Sequence, residues 1–265
     1  MREAITSRRN PQAQRARAAR EGRERGLVFV EGVRLCEEAV RAGLGFELAL
    51  YARGVEDDAR GASLLERLRE VCPAVLPVSD DVLGSVSDTK TPQGVVALAR
   101  RPRTGREVLE GAAGVPLVVV CHRANNPSNA GAMLRVAEAA GATGAVFTEG
   151  STDPLSAKAL RGSMGSAFRL PLWTGPTLAE ALRWCAARGV RAVATAAGAS
   201  ALHTEVDWTP PRAVVVGPEA GGLSDEELGA AAERVRVPMR GPVESLNVAA
   251  ALAVVLYEAA RQRGF

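Results

Sequence analysis

The chain has 265 residues, 47% of them hydrophobic and 24% charged, with a mean hydropathy of +0.01. This composition excludes wholesale disorder, collagen and a coiled-coil rod, and at roughly 100–200 residues per domain the length suits one large domain or two small ones. The net charge is +3, but it is unevenly spread: Arg2, Arg8, Arg9, Arg15, Arg17, Arg20, Arg23 and Arg25 face only Glu3, Glu21 and Glu24, a local +5 against −2 in the rest of the chain.

No apolar run approaches the ~18 residues of a spanning helix, and residues 1–20 hold no apolar stretch of the secretory kind. A cytoplasmic protein without a membrane span is expected. Residues 7–10 supply a helix N-cap, Pro11 suits a first turn, and residues 12–24 read as a basic helix. Such a helix is either a solvated face or the electrostatic footprint of a nucleic-acid binder. Strands follow at 27–30, 46–51, 75–78 and 94–99, with helices at 33–42 and 62–71 and a Ser79-capped helical turn between them. This is an α/β unit of about 100 residues, a small domain. Residues 100–114, rich in Arg, Gly and Pro, read as a linker, set at 104–114 between domains 1–103 and 115–265.

Beyond the linker, strands at 117–121, 144–148, 169–173, 190–195, 213–216 and 235–238 alternate with helices at 131–140, 155–162 and 177–188, a short one from Ser224, and a last one at 245–261. Such alternation predicts a parallel sheet covered on both faces, with ligands beyond the carboxyl ends of the strands. The four cysteines, Cys36, Cys72, Cys121 and Cys185, form no CxxC pair. They read as buried thiols of a reducing compartment, not as zinc ligands. His122 and His203 are the only histidines and belong to no catalytic motif. Neither a metal nor a histidine base is expected.

Three loops carry the chemistry. The first, CHRANNPSNAGAMLR, sets Asn129 and Gly131 at a helix start with Arg135 a turn beyond; alone it is equally an ordinary capped helix. The second, GPEAGGLSDEEL, holds Gly217, Gly221 and Gly222. Its Ser224 and Glu227 read as a capping box, and its Glu219 has no evident structural need. It is neither a dinucleotide fingerprint nor a P-loop. The third, VPMRGPVESLNVAAALAVVLYEAAR, opens a strongly apolar helix with Ser245 and Asn247, which could be simple caps.

Taken in order, NPSNAGAMLRVAEAAGA, VVVGPEAGGLS and VPMRGPVESLNVAAALAVVLYE resemble the motifs of the SpoU (TrmH) family of RNA 2′-O-ribose methyltransferases, within the SPOUT superfamily. SAKALRGSMGSAFRLPL resembles a further segment of it, so that the likeness spans roughly residues 115–262. SRRNP, GLVFVEGVRLCEEAV and SDTKTPQGVVAL resemble the family's L30e-like substrate-binding domain. The resemblance implies a parallel α/β sheet with a deep trefoil knot behind a smaller α/β domain, and a homodimer joined through the knotted region and last helix. It implies S-adenosylmethionine as methyl donor, held by Thr195, Ala196, Gly217, Val237 and Leu246. Arg135 matches the favoured catalyst, and Asn129, Glu219, Ser245 and Asn247 match residues that position the ribose and that arginine. The guanidinium is too basic to serve as a free base, so stabilising a developing alkoxide suits it better. The chain departs from many relatives in having Asn126-Pro127 where they carry an acidic residue before proline. Structured RNA, with 23S ribosomal RNA foremost, is the implied substrate, gripped by the N-terminal domain with Arg8, Arg9 and Arg15. A tRNA methyltransferase of the same family, or an inactive RNA-binding assembly protein, are the alternatives.

Overall fold

The computed structural model describes residues 3–264; Arg2, counted in the basic cluster, lies outside them. In chain order the elements are α1 (Pro11–Arg20), β1 (Leu27–Glu31), α2 (Val33–Arg41), β2 (Phe46–Ala52), α3 (Ala59–Val71), β3 (Val75–Val78), α4 (Asp80–Val86), β4 (Val95–Arg100), α5 (Arg106–Glu110), β5 (Leu117–Cys121), α6 (Pro127–Ala139) and β6 (Gly144–Phe147). Then follow α7 (Ala157–Ser163), α8 (Ser166–Arg169), β7 (Leu172–Thr174), α9 (Leu178–Ala186), β8 (Arg191–Thr195), β9 (Ala201–Leu202), β10 (Arg212–Val216), α10 (Asp225–Ala230), β11 (Glu233–Arg236) and α11 (Val248–Gln262). Among the described residues no helix is long and apolar enough to cross a membrane.

Packing divides the chain into two compact units. The first takes the chain up to Pro102 together with Leu155–Arg169, the second Arg103–Pro154 together with the chain from Leu170 onward. The boundaries read from the sequence differ from this in two ways. Residues 155–169, expected within domain 115–265, fold with the first unit. There Ala157 joins its apolar core, Arg161 pairs with Asp88 (2.7 Å), and Arg169 pairs with Glu38. The expected linker at 104–114 is also partly ordered: it contains α5, whose Leu109 is buried in the second unit's core.

The first unit's sheet has the order β1-β4-β2-β3, with β4 antiparallel to both neighbours and β2 parallel to β3. Asn10 caps α1 by accepting from the Gln12 N–H (2.9 Å), with Pro11 at the first helical position. The helix ends at Arg20, four residues before the expected limit, where Gly22 takes a positive φ of 74°. Ala13, Ala16 and Ala19 form its buried face, small side chains that let it lie close to the sheet.

The second unit's sheet has the order β7-β6-β5-β10-β8-β11-β9 and is parallel throughout. Its inner strands β5 and β10 are Val-rich and buried along their whole length, as a sheet covered on both faces requires. The register pairs Val214 with Val119 on one side and Val193 on the other. Packed on this sheet are α9 and, on β10, α11, which also lies against α6. Arg263, just past α11, donates to the carbonyls of Trp208, Pro210, Val115 and Pro116 and ties the helix end to the segments leading into the two central strands. The four cysteines are buried and unpaired.

Candidate active site

Parallel strands place their carboxyl ends on one edge, and β5, β8, β10 and β11 bring four loops together there. The helix after β5 starts earlier than its sequence suggests. Asn126 is the N-cap, accepting from the Ser128 N–H at 2.9 Å, and Pro127 is the first helical residue. Asn at this position therefore performs a cap that an acidic residue would also perform. Asn129 thereby lies inside the first turn, and its side chain leaves the helix toward the other loops.

Asn129 Nδ2 donates to Glu219 Oε1 from the loop after β10. Asn129 Oδ1 accepts from Asn247 Nδ2 at 3.2 Å. Asn247 in turn caps α11, its Oδ1 accepting from the Ala249 (2.9 Å) and Ala250 (3.4 Å) N–H groups. The polarity of this chain is forced. The helix N–H groups need the Asn247 oxygen, which turns its amide nitrogen to Asn129 and leaves the Asn129 nitrogen for the carboxylate. Three segments far apart in sequence thus meet in one directed hydrogen-bond chain. It also supplies the role that Glu219 lacked as an isolated residue.

Beside it lies a cavity of about 120 Å³ lined by Thr195, Ala196, Ala197, Val235, Arg236, Val237, Met239, Glu244, Ser245, Leu246 and Ala251. Strand β11 ends at Arg236, so Val237 falls in the loop and not, as expected, in a strand at 235–238. Thr195 is anchored by donating to the Val215 carbonyl (3.2 Å), and the Ala196 N–H donates to the Val235 carbonyl (2.9 Å). Gly217 does not line the cavity. It turns the loop instead: a Cβ there would sit 2.8 Å from the Leu223 amide nitrogen and 2.9 Å from the Gly222 carbonyl carbon.

Of the residues singled out in sequence, the structure joins Asn129, Glu219 and Asn247 directly and sets Ser245, Thr195, Ala196, Val237 and Leu246 around the cavity. Arg135 stands apart. It is exposed, six residues (about 9 Å of helix rise) beyond Asn129, and has no polar partner among the described residues. In the first unit Arg8 pairs with Asp81 and Arg15 with Glu47, while Arg9 has no ion-pair partner among the described residues. Met239 and Glu244, in the loop, and Ala251, in the first turn of α11, were not read from sequence; flexible loop residues carry no periodic signal, and an alanine in an apolar helix has nothing to set it apart. His122 was read as structural. It is buried, with both ring nitrogens hydrogen-bonded.

The cavity's walls combine apolar side chains such as Val235, Val237 and Leu246, which suit a flat heterocycle, with Thr195, Glu244 and Ser245, whose polar groups suit hydroxyls and a cationic centre, and so the residues present fit S-adenosylmethionine. The family model described as SpoU rRNA Methylase family matches residues 116–257, and that of the MRM3-like substrate binding domain matches residues 9–97. The chain is similar to 23S rRNA (guanosine-2'-O-)-methyltransferase RlmB of Ralstonia nicotianae, at 33% identity over 81% of this chain and 87% of the relative. It is 31% identical to 23S rRNA (guanosine(2553)-2'-O)-methyltransferase RlmP of Bacillus subtilis, over 86% of each chain. Among solved structures it resembles an AdoMet-bound rRNA methyltransferase from Sinorhizobium meliloti, with a TM-score of 0.84 and 28% identity over 98% of this chain and 97% of the other. The fold, the converging loops and these likenesses agree: the chain belongs to the SpoU rRNA Methylase family and is an RNA 2′-O-methyltransferase whose methyl donor is S-adenosylmethionine.

Proposed function

We propose that this enzyme methylates a ribose 2′-hydroxyl of 23S ribosomal RNA in the cytoplasm. The observation that carries the reading is the directed chain Asn247–Asn129–Glu219 beside the apolar cavity. In this reading Thr195, Ala196, Val237 and Leu246 hold the donor, and Gly217 shapes the loop that closes on it. When bound, S-adenosylmethionine supplies a methyl group already activated on sulfonium. The protein's part is then to orient the 2′-oxygen and ease loss of its proton. Asn129, Glu219, Ser245 and Asn247 position the ribose. Arg135, permanently charged, stabilises negative charge growing on that oxygen.

The first unit serves as the RNA grip. Among Arg8, Arg9 and Arg15, Arg9 is the one without an ion-pair partner among the described residues. Arg8 contributes by exchanging the exposed Asp81 carboxylate for phosphate, at small cost because exposed ion pairs are worth only about 0–1 kcal/mol, and Arg15 by giving up the half-buried Glu47. A deep trefoil knot made by the C-terminal stretch belongs to the same reading. So does a homodimer: Val254 and Tyr257 on α11, with Val243 and Leu246 before it, are exposed large apolar residues. Mapping of 2′-O-methyls in 23S rRNA with and without the gene tests the substrate. Loss of one methyl, restored by the wild-type gene and not by Arg135→Ala, is expected. An unchanged map would refute it.

A further inference from the structure

His122 directly follows β5 and is only 3% exposed. Its N–H donates to the Val216 carbonyl (2.9 Å), which extends the β5–β10 ladder by one residue. Its ring bridges two elements: Nδ1 lies 3.0 Å from Thr148 Oγ1, and Nε2 lies 2.9 Å from Glu227 Oε1. The other Glu227 oxygen accepts from the Ser224 N–H at 2.8 Å.

The proton positions follow from the partners. The Ser224 amide first, and His122 after it, hold the Glu227 carboxyl below its ordinary range, so it is an anion that only accepts. Nε2 therefore carries a proton. Thr148 Oγ1 accepts from the Arg123 N–H (3.1 Å), and its own hydrogen is within reach of both the Glu149 carbonyl (3.3 Å) and Nδ1.

This bridge ends at the loop that bears Glu219. Residues 217–223 start from β10 and finish at Ser224. The start is set by the β10 ladder and by the close packing of Gly217 on Leu223. The finish is set by Glu227, which grips Ser224 on one side and His122 on the other. Between these anchors Glu219 is exposed and meets Asn129. Where the loop is held decides how that carboxylate turns the Asn129 amide.

We propose that His122 is a positioning residue for methyl transfer, fixing the 217–223 loop through Glu227 and so the Glu219 carboxylate that orients Asn129. The proposal rests on the reading that Asn129 and Glu219 serve the reaction.

Two near-isosteric substitutions test it. In His122→Gln the amide nitrogen falls where Nε2 lies and can still donate to Glu227. In His122→Asn the shorter amide reaches Thr148 alone. Amide hydrogen exchange over residues 217–224 is compared, together with methyl transfer from tritiated donor to an unmodified 23S rRNA transcript. His122→Asn should speed exchange and lower kcat at least about tenfold with KM for RNA within about twofold, since misplacement by about 1 Å can cost ~100-fold in rate. His122→Gln should stay within about threefold of wild type. Glu227→Ala, which leaves the ring in place, should behave as His122→Asn does.

Equal effects of the Gln and Asn variants, or unchanged exchange in His122→Asn, would overturn the inference. Asn129→Ala separates the two readings. Full turnover in that variant sinks the role of Asn129, while the exchange comparison still decides what His122 holds. Lost turnover there with normal turnover in His122→Asn sinks the positioning role alone.

Discussion

Asn247 has two jobs that different substitutions can separate. Its oxygen caps α11, accepting from Ala249 and Ala250, and its nitrogen donates to Asn129 at 3.2 Å. Asn247→Ala removes both. Loss of an N-cap costs about 1 kcal/mol, and loss of one hydrogen bond about 0.5–1.5 kcal/mol net. A total near 2 kcal/mol lowers Tm by about 4–8 °C for a folding unit of this size. Asn247→Asp keeps the cap, and its charge suits the positive end of the helix dipole. It still loses the hydrogen bond to Asn129, so its Tm should fall by about 1–4 °C, less than in Asn247→Ala.

The same aspartate cannot donate. Its carboxylate meets the Asn129 oxygen, and rotating Asn129 to offer its nitrogen turns that oxygen on Glu219. Either arrangement sets two acceptors face to face, so Asn129 loses its orientation. Each ~1.4 kcal/mol of lost transition-state stabilisation is a factor of ten, and one misdirected charged contact costs at least that much. Asn247→Asp should therefore be more stable than Asn247→Ala and at least about tenfold slower than wild type. Thermal melting by circular dichroism and single-turnover methyl transfer measure the two quantities. Turnover of the aspartate variant within about twofold of wild type would refute the directed chain, as would equal Tm losses in both variants.

Gly217→Ala should destabilise the fold by about 1–3 kcal/mol, because its Cβ would press on backbone atoms 2.8 and 2.9 Å away that cannot swing aside. Urea unfolding measures this, and a change below 0.5 kcal/mol, roughly the size of a surface substitution, would contradict the packing. Glu258 is held at about 2 by hydrogen bonds from Arg261 and Gln262. A depressed carboxylate stabilises above its ordinary 4.5 and loses that contribution as pH falls toward 2. Because Arg261 is 70% exposed, solvent screening leaves only about 1 kcal/mol. The stability gap between wild type and Glu258→Gln should close over that window in acid titrations followed by circular dichroism; a constant gap argues against the linkage. Val254→Glu puts a charge on the exposed apolar stripe of α11 and should shift a dimer to monomer in sedimentation velocity, whereas an unaltered dimer places the interface elsewhere. Arg9→Glu should lower RNA affinity and reduce the salt slope of log K by about 1–2, with no change expected if that arginine never meets phosphate.

Much of the second unit was legible because its signals are local. Val-rich runs such as 117–121 and 213–216 mark strands buried on both faces. Ser224–Glu227 marks a helix start through capping chemistry that acts over three residues. The family motifs add the residues around the cavity. Several bounds shifted: α6 begins at Pro127 instead of 131 and α11 at Val248 instead of 245, because Asn126 and Asn247 cap in place of the polar residues beside them, and the strand expected at 169–173 is β7 at Leu172–Thr174. The two-residue strand β9 escaped since its pairing with β11 is entirely non-local.

The sequence alone determined that this is a two-part α/β protein, and which residue types the three loops hold where its chemistry is proposed. Tertiary structure decided how they are joined. The opening basic cluster shows this. Counting placed +5 in one short segment, yet packing commits Arg8 to Asp81 and Arg15 to Glu47 and leaves Arg9 unpaired by ion among the described residues. Net charge is additive along a chain, whereas ion pairing depends on which carboxylate the fold brings within reach. The same holds for residues 155–169, which continue the second unit in sequence and pack in the first. It holds too for Glu219, which acquires a partner only when β5, β10 and α11 bring residues 129, 219 and 247 to one edge of the sheet.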